Sequence, residues 1–503
     1  MQQDDSPKLF TERLVTERLF TDLETPELVE QAILRREGAL SAEGALVIPP
    51  APRGPCQRFI VDEPSTTDAI AWDEGNRPCT LEQFDALWDG VHGHLRQGER
   101  FVAHLHVGED PEHYIPVKVT CETAWHCLFA RHLLIPPARY NPSAKEQWKL
   151  LHAPTFDGAP PGEGLVIIHF ARRKLVIAGQ VAAGELHRAL LAVQSFLLPE
   201  KGILPLEGIA SIGDDGDVAL FIGAPGSGRR TLAAGPGRSL VGATGLGWGR
   251  DGLFNLAGGC ERPLLALPPR GAAPGFGTLV ENGELDEGRR LDRSAAARCA
   301  FRVDQLGCER AGEPRHILLL CRDPAGVLPP VAILDGESAA DHFLAGYGAR
   351  AGLAEEGEGK PGARFAPGFG ASWLPRSARV YADLLARRIE DGDSRVFVLN
   401  TGWIGGPAGN GGEPVPVEVS RAIVAAILQG ALDGGEGTPL AELNLVLPRA
   451  VPGLDNRYLD PANGWRDPAA HRAAARALAE ALGANLARFA RGESPGAPAR
   501  QRV

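Results

Sequence analysis

The segment that most constrains the fold is residues 217–234, which read DVALFIGAPGSGRRTLAA. The apolar run from Val218 to Ile222 predicts a buried strand, and a helix is predicted to start near Arg229 after a glycine-rich turn. A turn of this kind between a strand and a helix directs backbone N–H groups toward one point, which is typical of phosphate-binding loops. The segment therefore predicts an α/β domain with a P-loop-like strand–turn–helix unit.

The rest of the chain also alternates between helical and strand patterns. Residues 26–40 predict a helix and residues 44–48 a strand, while residues 165–178 predict a hairpin followed by a helix over 184–198. Such alternation indicates a layered α/β fold.

The 503 residues suggest two lobes, 1–203 and 204–489, and a disordered tail over 490–503. Residues 351–364 and 404–416 are rich in glycine and are predicted to be mobile surface loops.

Charge and cysteine content narrow the functional class. Lys+Arg number 52 against 63 Asp+Glu, and the resulting net charge of −11 disfavours a nucleic-acid partner. The eight cysteines include no C-x-x-C pair, so neither a zinc site nor a disulfide framework is indicated. No apolar run approaches the roughly 20 residues that span a bilayer, so we expect a cytoplasmic protein without a membrane partner.

The glycine-rich loop departs from the phosphate-binding motif G-x-x-x-x-G-K-[ST] at two positions. Residues 223–231 keep the glycine spacing, but Arg229 stands at the lysine and Arg230 at the hydroxyl residue. An arginine retains the positive charge, yet no arginine can ligate Mg²⁺ because its guanidinium stays protonated. Anion binding is therefore the functional interpretation, and a strand-to-helix turn without a ligand is the structural alternative.

Around this loop the chain resembles the ATP-dependent phosphoenolpyruvate carboxykinase family. The resemblance follows a common order of segments: LVEQAI, GALVI, FIVDEP, AWHCLFARHLLI, LHAPTF, GELHRALLAVQSFLLPEKGILP, GDVALFIGAPGSGRRTL, GWGRDGLFNLAGGC, DPAGVLPP, LNTGWIGGP and PGLDNRYLDPANGW. It implies a two-lobed fold whose C-terminal lobe is a P-loop-type nucleotide-binding domain. It also implies conversion of oxaloacetate and ATP to phosphoenolpyruvate, ADP and CO₂ in gluconeogenesis, with Mg²⁺ on the nucleotide and Mn²⁺ at the substrate.

The resemblance carries over the substrate arginines but not the metal ligands. Arg53 falls on the family arginine that holds the oxaloacetate carboxylate, and Arg298 on the one that bridges substrate and phosphoryl group. Arg188 replaces a metal-binding lysine, and Glu207 stands at the metal-binding histidine. Ala243 and Thr244 fall in the segment that carries the family's aspartates, so no metal ligand set is predicted.

On the nucleotide side, Ser420 replaces a threonine beside Arg421, whereas Pro263 and Glu413 stand where the family has a lysine and an arginine. The candidate nucleotide-binding residues are Gly223, Gly226, Ser227, Gly228, Arg229, Arg230, Thr231, Ser420 and Arg421. His187, next to Arg188, is a candidate acid or base near neutral pH. Asp323 and Trp403 match the family and are interpreted as scaffold.

Three hypotheses remain open from sequence. The first is a carboxykinase-like pseudoenzyme that binds a small anionic metabolite or a nucleotide such as ATP without metal, or has an altered activity. The second is a working ATP-dependent carboxykinase with non-standard metal ligands. The third is an interaction protein with a vestigial site, in which Arg229 and Arg230 pair with internal carboxylates.

Overall fold

The computed structural model describes residues 18–51, 54–137, 145–158, 163–242, 245–266, 274–292, 294, 296–302, 310–349, 362–371, 373–435, 437–455 and 458–490. Within these ranges the chain forms ten α-helices, which are numbered in chain order: α1 (Thr25–Leu34), α2 (Leu81–Arg96), α3 (Ala124–Leu133), α4 (Gly184–Leu197), α5 (Arg229–Ala233), α6 (Gly336–Ala345), α7 (Pro367–Gly370), α8 (Ala378–Asp391), α9 (Val417–Leu428) and α10 (Pro468–Ala490).

The strands are numbered in the same way. Those before α4 are β1 (Leu19–Thr21), β2 (Ala39–Leu40), β3 (Leu46–Ile48), β4 (Cys56–Val61), β5 (Arg77–Cys79), β6 (Arg100–Val107), β7 (Ile115–Cys121), β8 (Trp148–Ala153), β9 (Gly164–His169) and β10 (Lys174–Ala178). Those from α4 to residue 311 are β11 (Leu204–Leu206), β12 (Gly208–Gly213), β13 (Val218–Gly223), β14 (Arg238–Val241), β15 (Leu246–Gly249), β16 (Gly252–Asn255), β17 (Gly259–Pro263), β18 (Leu279–Glu281), β19 (Arg298–Arg302) and β20 (Arg310–Ala311). The last are β21 (His316–Cys321), β22 (Val331–Leu334), β23 (Tyr347–Ala349), β24 (Ala363–Phe365), β25 (Arg395–Asn400), β26 (Trp403–Ile404), β27 (Glu413–Pro414), β28 (Gly437–Leu440) and β29 (Leu445–Pro448).

The first large sheet has eight strands in the order β1-β6-β7-β8-β10-β9-β4-β5. Helices α1, α3 and α4 contribute to the hydrophobic cluster on one face, and α2 packs on the other. Both faces are covered, which explains why strands such as β9 and β10 are almost continuously apolar rather than alternating.

The second large sheet, also of eight strands, has the order β14-β12-β13-β21-β25-β22-β29-β28. Its centre is parallel, because β13 pairs in parallel with β21, and β21 pairs in parallel with β25. Helices α6, α8 and α10 pack on one face, and α5 and α9 pack on the other. The carboxyl ends of the three parallel strands therefore meet at one edge, where ligands bind in open α/β sheets.

A smaller five-stranded sheet joins residues 39–48 to residues 259–302. Its order is β17-β19-β18-β3-β2, and β3 from the N-terminal part pairs in parallel with β18. The predicted boundary at 203/204 stays a prediction.

The predicted α/β architecture is confirmed, and so is the hairpin over 165–178, which forms β9 and β10. The first helix is shorter than predicted and ends at Leu34 instead of residue 40. Arg36 then adopts a left-handed φ of 58° so that Ala39–Leu40 can pair with β3 as β2. The 404–416 segment, predicted to be a loop, holds the short strand β27. Most of the predicted 351–364 loop and residues 491–503 lie outside the described residues.

No helix in the described ranges combines the length and the apolar character needed to cross a membrane.

Candidate functional site

The glycine-rich loop leaves the fully buried strand β13 and enters α5 at Arg229. Gly226 and Gly228 have φ values of 83° and 86°, a left-handed region that favours glycine. At Gly223 a Cβ atom would lie 2.6 Å from the carbonyl oxygen of Leu320 on β21, so only glycine fits there. The sequence thus dictates a close passage of the loop over the carboxyl edge of the sheet.

A hydrogen bond fixes this loop to the neighbouring strand ends. Thr401, which follows β25, donates its hydroxyl to the carbonyl oxygen of Ser227 at 2.9 Å. Ser227 is 1% exposed, and its Oγ has no hydrogen-bond partner among the residues that the structure describes. The loop is therefore held in place and carries a buried hydroxyl that no described group satisfies.

The two arginines that open α5 lie in a positively charged, partly buried environment. Nη1 of Arg229 donates to the carbonyl oxygen of Glu207 at 2.8 Å. Burial lowers the pKa of Arg229 below its ordinary value, although the negative charge of Glu207 acts in the opposite direction. Burial, together with the nearby charges of Arg262 and Arg229, lowers the pKa of Arg230 to about 10. Three guanidinium groups near one another raise the electrostatic potential, which favours an anion.

Near the start of α4, Arg188 forms an ion pair with Glu185. Nε and Nη2 of Arg188 donate to Oε1 of Glu185 at 3.1 and 2.9 Å, and Nη2 of Arg58 lies 3.2 Å from Oε2. Burial raises the pKa of Glu185, but Arg188 and Arg58 together hold it below its ordinary value. The carboxylate is thus ionised and shared between two guanidinium groups.

Arg298 belongs to the same network through Glu261. Arg298 at the start of β19 forms an ion pair with Glu261 on the adjacent strand β17. A Cβ atom at Gly184 would lie 3.0 Å from both Nη atoms of Arg188 and 3.1 Å from Oε2 of Glu261. Arg188 and Glu261 therefore converge above Gly184, and two glutamates balance most of the charge of Arg58, Arg188 and Arg298.

A family model described as "Phosphoenolpyruvate carboxykinase" matches residues 17–457. The chain belongs to the phosphoenolpyruvate carboxykinase (ATP) family. Its similar relatives include the "Phosphoenolpyruvate carboxykinase (ATP)" of Geobacillus kaustophilus, 38% identical with 93% of each chain covered. The protein of that name from Chelativorans is 37% identical with 94% of this chain and 92% of the relative covered, and the one from Thermus thermophilus is 35% identical with 94% and 95% covered.

Membership confirms the two-lobed α/β fold class that the sequence predicted, and the family is named for an ATP-dependent reaction. Of the positions that the family resemblance assigns to metal binding, Arg188 and Glu207 are described. Arg188 cannot ligate a cation, because it stays protonated and donates to Glu185. One carboxylate at Glu207 does not make a coordination shell, and the described residues contain no group of three or more His, Cys, Asp or Glu that fits a metal ion. Of the two described positions, only Glu207 carries a side chain that can ligate a divalent cation.

The structure corrects the interpretation of His187 as an acid or base near neutral pH. Burial, together with the charge of Arg188, lowers the pKa of His187 to about 3. The imidazole is therefore neutral at pH 7 and is not poised as an acid or base there. Its Nε2 is buried and has no hydrogen-bond partner in the described part of the chain.

Three of the remaining predicted residues lie on helices α5 and α9. Thr231 in α5 is exposed, while α9 holds the buried Ser420 and the exposed Arg421, and both helices pack on the same hydrophobic cluster. Arg53, Ala243 and Thr244 lie outside the described residues.

Asp323 matches the family, and its hydrogen bonds are those of a residue that stabilises the fold. It is fully buried and accepts hydrogen bonds from the backbone N–H groups of residues 325, 327 and 328 and from the Tyr347 hydroxyl at 2.6 Å. This arrangement supports the scaffold interpretation.

Sequence reasoning missed the charge partners Glu185 and Glu261, and also Arg58 and Arg322 near the site. The i,i+3 spacing of Glu185 and Arg188 on a helix was an available signal. Strand pairing brings Arg58 and Arg322 to the site, and no local sequence pattern indicates which distant strands pair.

Proposed function

We propose that this protein binds a small phosphorylated or carboxylated anion through arginine side chains and lacks the usual metal-dependent conversion of oxaloacetate and ATP. The observation that carries the proposal is the engagement of Arg188, at the family's metal-lysine position, with Glu185. A guanidinium has no lone pair to give to a cation, so Arg188 cannot take over the metal-binding role of the family lysine.

The physical cost of losing the metals is large. In phosphoryl transfer, Mg²⁺ bridges the β- and γ-phosphate oxygens, and metal stabilisation typically contributes several kcal/mol. Each 1.4 kcal/mol or so of lost transition-state stabilisation lowers the rate about tenfold. Decarboxylation of oxaloacetate also leaves an enolate, whose charge must be stabilised by a positioned cation. Replacement of the ligands therefore supports an impaired family reaction.

A direct assay tests this loss of activity. Purified protein is incubated with oxaloacetate, ATP or GTP, Mg²⁺ and Mn²⁺, and phosphoenolpyruvate formation is measured beside the Geobacillus kaustophilus relative as positive control. We expect no turnover approaching the ordinary enzymatic range of about 1–10³ s⁻¹. Turnover in that range contradicts the proposal.

Calorimetry tests the binding component. ATP, phosphoenolpyruvate, oxaloacetate and related dicarboxylates are titrated into the protein, once in EDTA and once with Mg²⁺ and Mn²⁺. We expect at least one of these anions to bind in EDTA. If none binds under either condition, the anion-binding proposal fails and the interaction-protein hypothesis is favoured instead.

The second candidate is a working ATP-dependent carboxykinase with non-standard metal ligands. It is favoured by the 35–38% identity to relatives that carry that name. Glu207 is the candidate ligand, so in this case Glu207→Gln should abolish metal-dependent phosphoenolpyruvate formation while leaving the fold intact. The two lobes at 1–203 and 204–489 remain part of the proposal.

A further inference from the structure

Arg322 lies at the edge of the sheet where the glycine-rich loop begins. It follows β21 directly, and β21 pairs in parallel with β13 on one side and with β25 on the other. A Cβ atom at Gly226 would lie 3.7 Å from Nη1 of Arg322. The guanidinium therefore stands within contact distance of the loop at Gly226.

The backbone around Arg322 is well anchored. Its carbonyl oxygen accepts from the N–H of Ala349 at 2.6 Å, and the N–H of Trp403 donates to the carbonyl oxygen of Asp323 at 3.0 Å. The guanidinium carbon lies 5.3 Å from the centroid of the Trp403 ring, which is cation–π geometry. The aromatic face orients the guanidinium without using any of its five N–H donors.

Among the residues that the structure describes, no carboxylate pairs with Arg322. Among the described residues, its side chain forms the contact with Trp403 but no hydrogen bond or ion pair. Arg188 and Arg298, by contrast, are paired with glutamates, and Arg229 donates to a backbone carbonyl oxygen. Arg322 is half-buried, so its donors remain open to a ligand at the loop.

We propose that Arg322 contacts a phosphate group held at residues 223–228 and supplies there the positive charge that a divalent cation supplies in other phosphate sites. The inference rests on the proposed function and extends it by naming the ligand chemistry as a phosphate group or phosphate chain taken up without bound metal. The buried Ser227 hydroxyl, within the loop itself, is a further polar group that has no hydrogen-bond partner among the described residues. A planar guanidinium suits this ligand because it binds two phosphate oxygens through parallel N–H···O bonds.

Calorimetry in EDTA tests the inference with inorganic pyrophosphate, ATP and phosphoenolpyruvate as separate probes. The variants are Arg322→Ala and Arg322→Lys, and the matched control is Arg379→Ala, which removes the same charge from an exposed ion pair on α8. Three probes distinguish the sources of the phosphate: pyrophosphate binding requires only a phosphate chain, ATP adds the nucleoside, and phosphoenolpyruvate adds a carboxylate.

We expect Arg322→Ala to weaken binding of the tightest probe by roughly 10- to 100-fold, as for loss of a charged hydrogen-bonding partner. Arg322→Lys should lose less because it keeps the charge, and Arg379→Ala should bind like the unaltered protein. Thermal melting tests whether each variant is folded. If Arg322→Ala is not folded, weaker binding of the probe by Arg322→Lys supports the inference instead.

Unchanged or tighter binding by a folded Arg322→Ala variant overturns the inference, and so does a requirement of the unaltered protein for Mg²⁺ to bind any probe. If the unaltered protein binds none of the three probes but still binds oxaloacetate or a related dicarboxylate, the inference alone is overturned; if it binds none of these anions, with or without metal, the proposed function itself is overturned. The two failures are thereby distinguished.

Discussion

Replacement of Glu185 by glutamine tests the charge network of the site. The side chain of Glu185 is 9% exposed, and it accepts from Arg188 at 2.9 and 3.1 Å and from Arg58 at 3.2 Å. The amide of glutamine is close to isosteric but carries no charge, so both guanidinium groups lose their counterion while the packing is retained.

The expected cost follows from the burial of these groups. Breaking a buried ion pair by removing one partner typically costs about 3–5 kcal/mol, and a hydrogen bond to a charged group contributes about 1.5–3 kcal/mol. The side chains of Arg188 and Arg58 are 32% and 23% exposed, so water partly screens them. The glutamine oxygen also still accepts one hydrogen bond, and we therefore expect the free energy of unfolding to fall by about 2–3 kcal/mol.

Urea unfolding followed by circular dichroism measures this change, with Asp383→Asn as the control. Asp383 pairs with Arg379 at 2.8 Å on the surface of α8, where both side chains are about half exposed. Loss of this exposed pair should cost no more than about 0.5 kcal/mol. Equal effects of the two variants, or a more stable Glu185→Gln protein, would refute the reasoning.

The pH dependence provides an independent check. The pKa of Glu185 in the folded protein lies below its ordinary value of 4.5. Its contribution to stability is therefore present above pH 4.5 and is lost as the pH falls through the lower folded-state pKa. The stability difference between the unaltered protein and Glu185→Gln should narrow as the pH falls below about 4.5, and a difference that stays constant to pH 3 or so contradicts the account.

Three further changes test other parts of the site. Thr401→Val removes the hydrogen bond to the Ser227 carbonyl, which should cost about 1 kcal/mol in urea unfolding and weaken anion binding in calorimetry; unchanged anion affinity contradicts a role in holding the loop. Tyr347→Phe leaves Asp323 with only backbone donors and should lower the free energy of unfolding by about 1–3 kcal/mol; a neutral effect argues against the buried scaffold. Because burial lowers the pKa of His187 to about 3, the unaltered protein loses stability as the pH falls from 6.5 toward 3, and His187→Leu should show a flatter pH profile of its melting temperature; matching profiles refute the lowered pKa.

Local sequence patterns predicted those parts of the fold that depend on neighbours in the chain. The apolar run before the glycine-rich turn predicted β13, and two apolar runs on either side of three basic residues predicted the hairpin of β9 and β10. The pattern overestimated α1, because its C-terminal end is set by the pairing of β2 with β3, a tertiary contact. Helical periodicity alone does not contain that information.

The candidate site was less predictable because its charge balance is assembled from distant segments. Arg188 and Arg298 were identified by resemblance, but their partners determine what they do. Glu185 lies one helical turn from Arg188, whereas Arg58 arrives on β4, which joins the first sheet beside β9. The approach of Arg322 to Gly226 depends on the parallel alignment of β13 and β21. No single segment of the sequence contains the information that determines distances between residues on separate strands.

The two sets of arginines differ in what an incoming anion would gain from them. A carboxylate that binds Arg188 or Arg298 must share the guanidinium with Glu185 or Glu261, so it gains only the difference between two similar interactions and meets the repulsion of a glutamate. A phosphate that binds Arg322 displaces water and leaves the contact with the Trp403 ring in place. The electrostatic gain is therefore concentrated at the edge of the glycine-rich loop and not on the side where the family resemblance places oxaloacetate. On this argument the phosphate group, more than the carboxylate, determines which small molecules the protein selects.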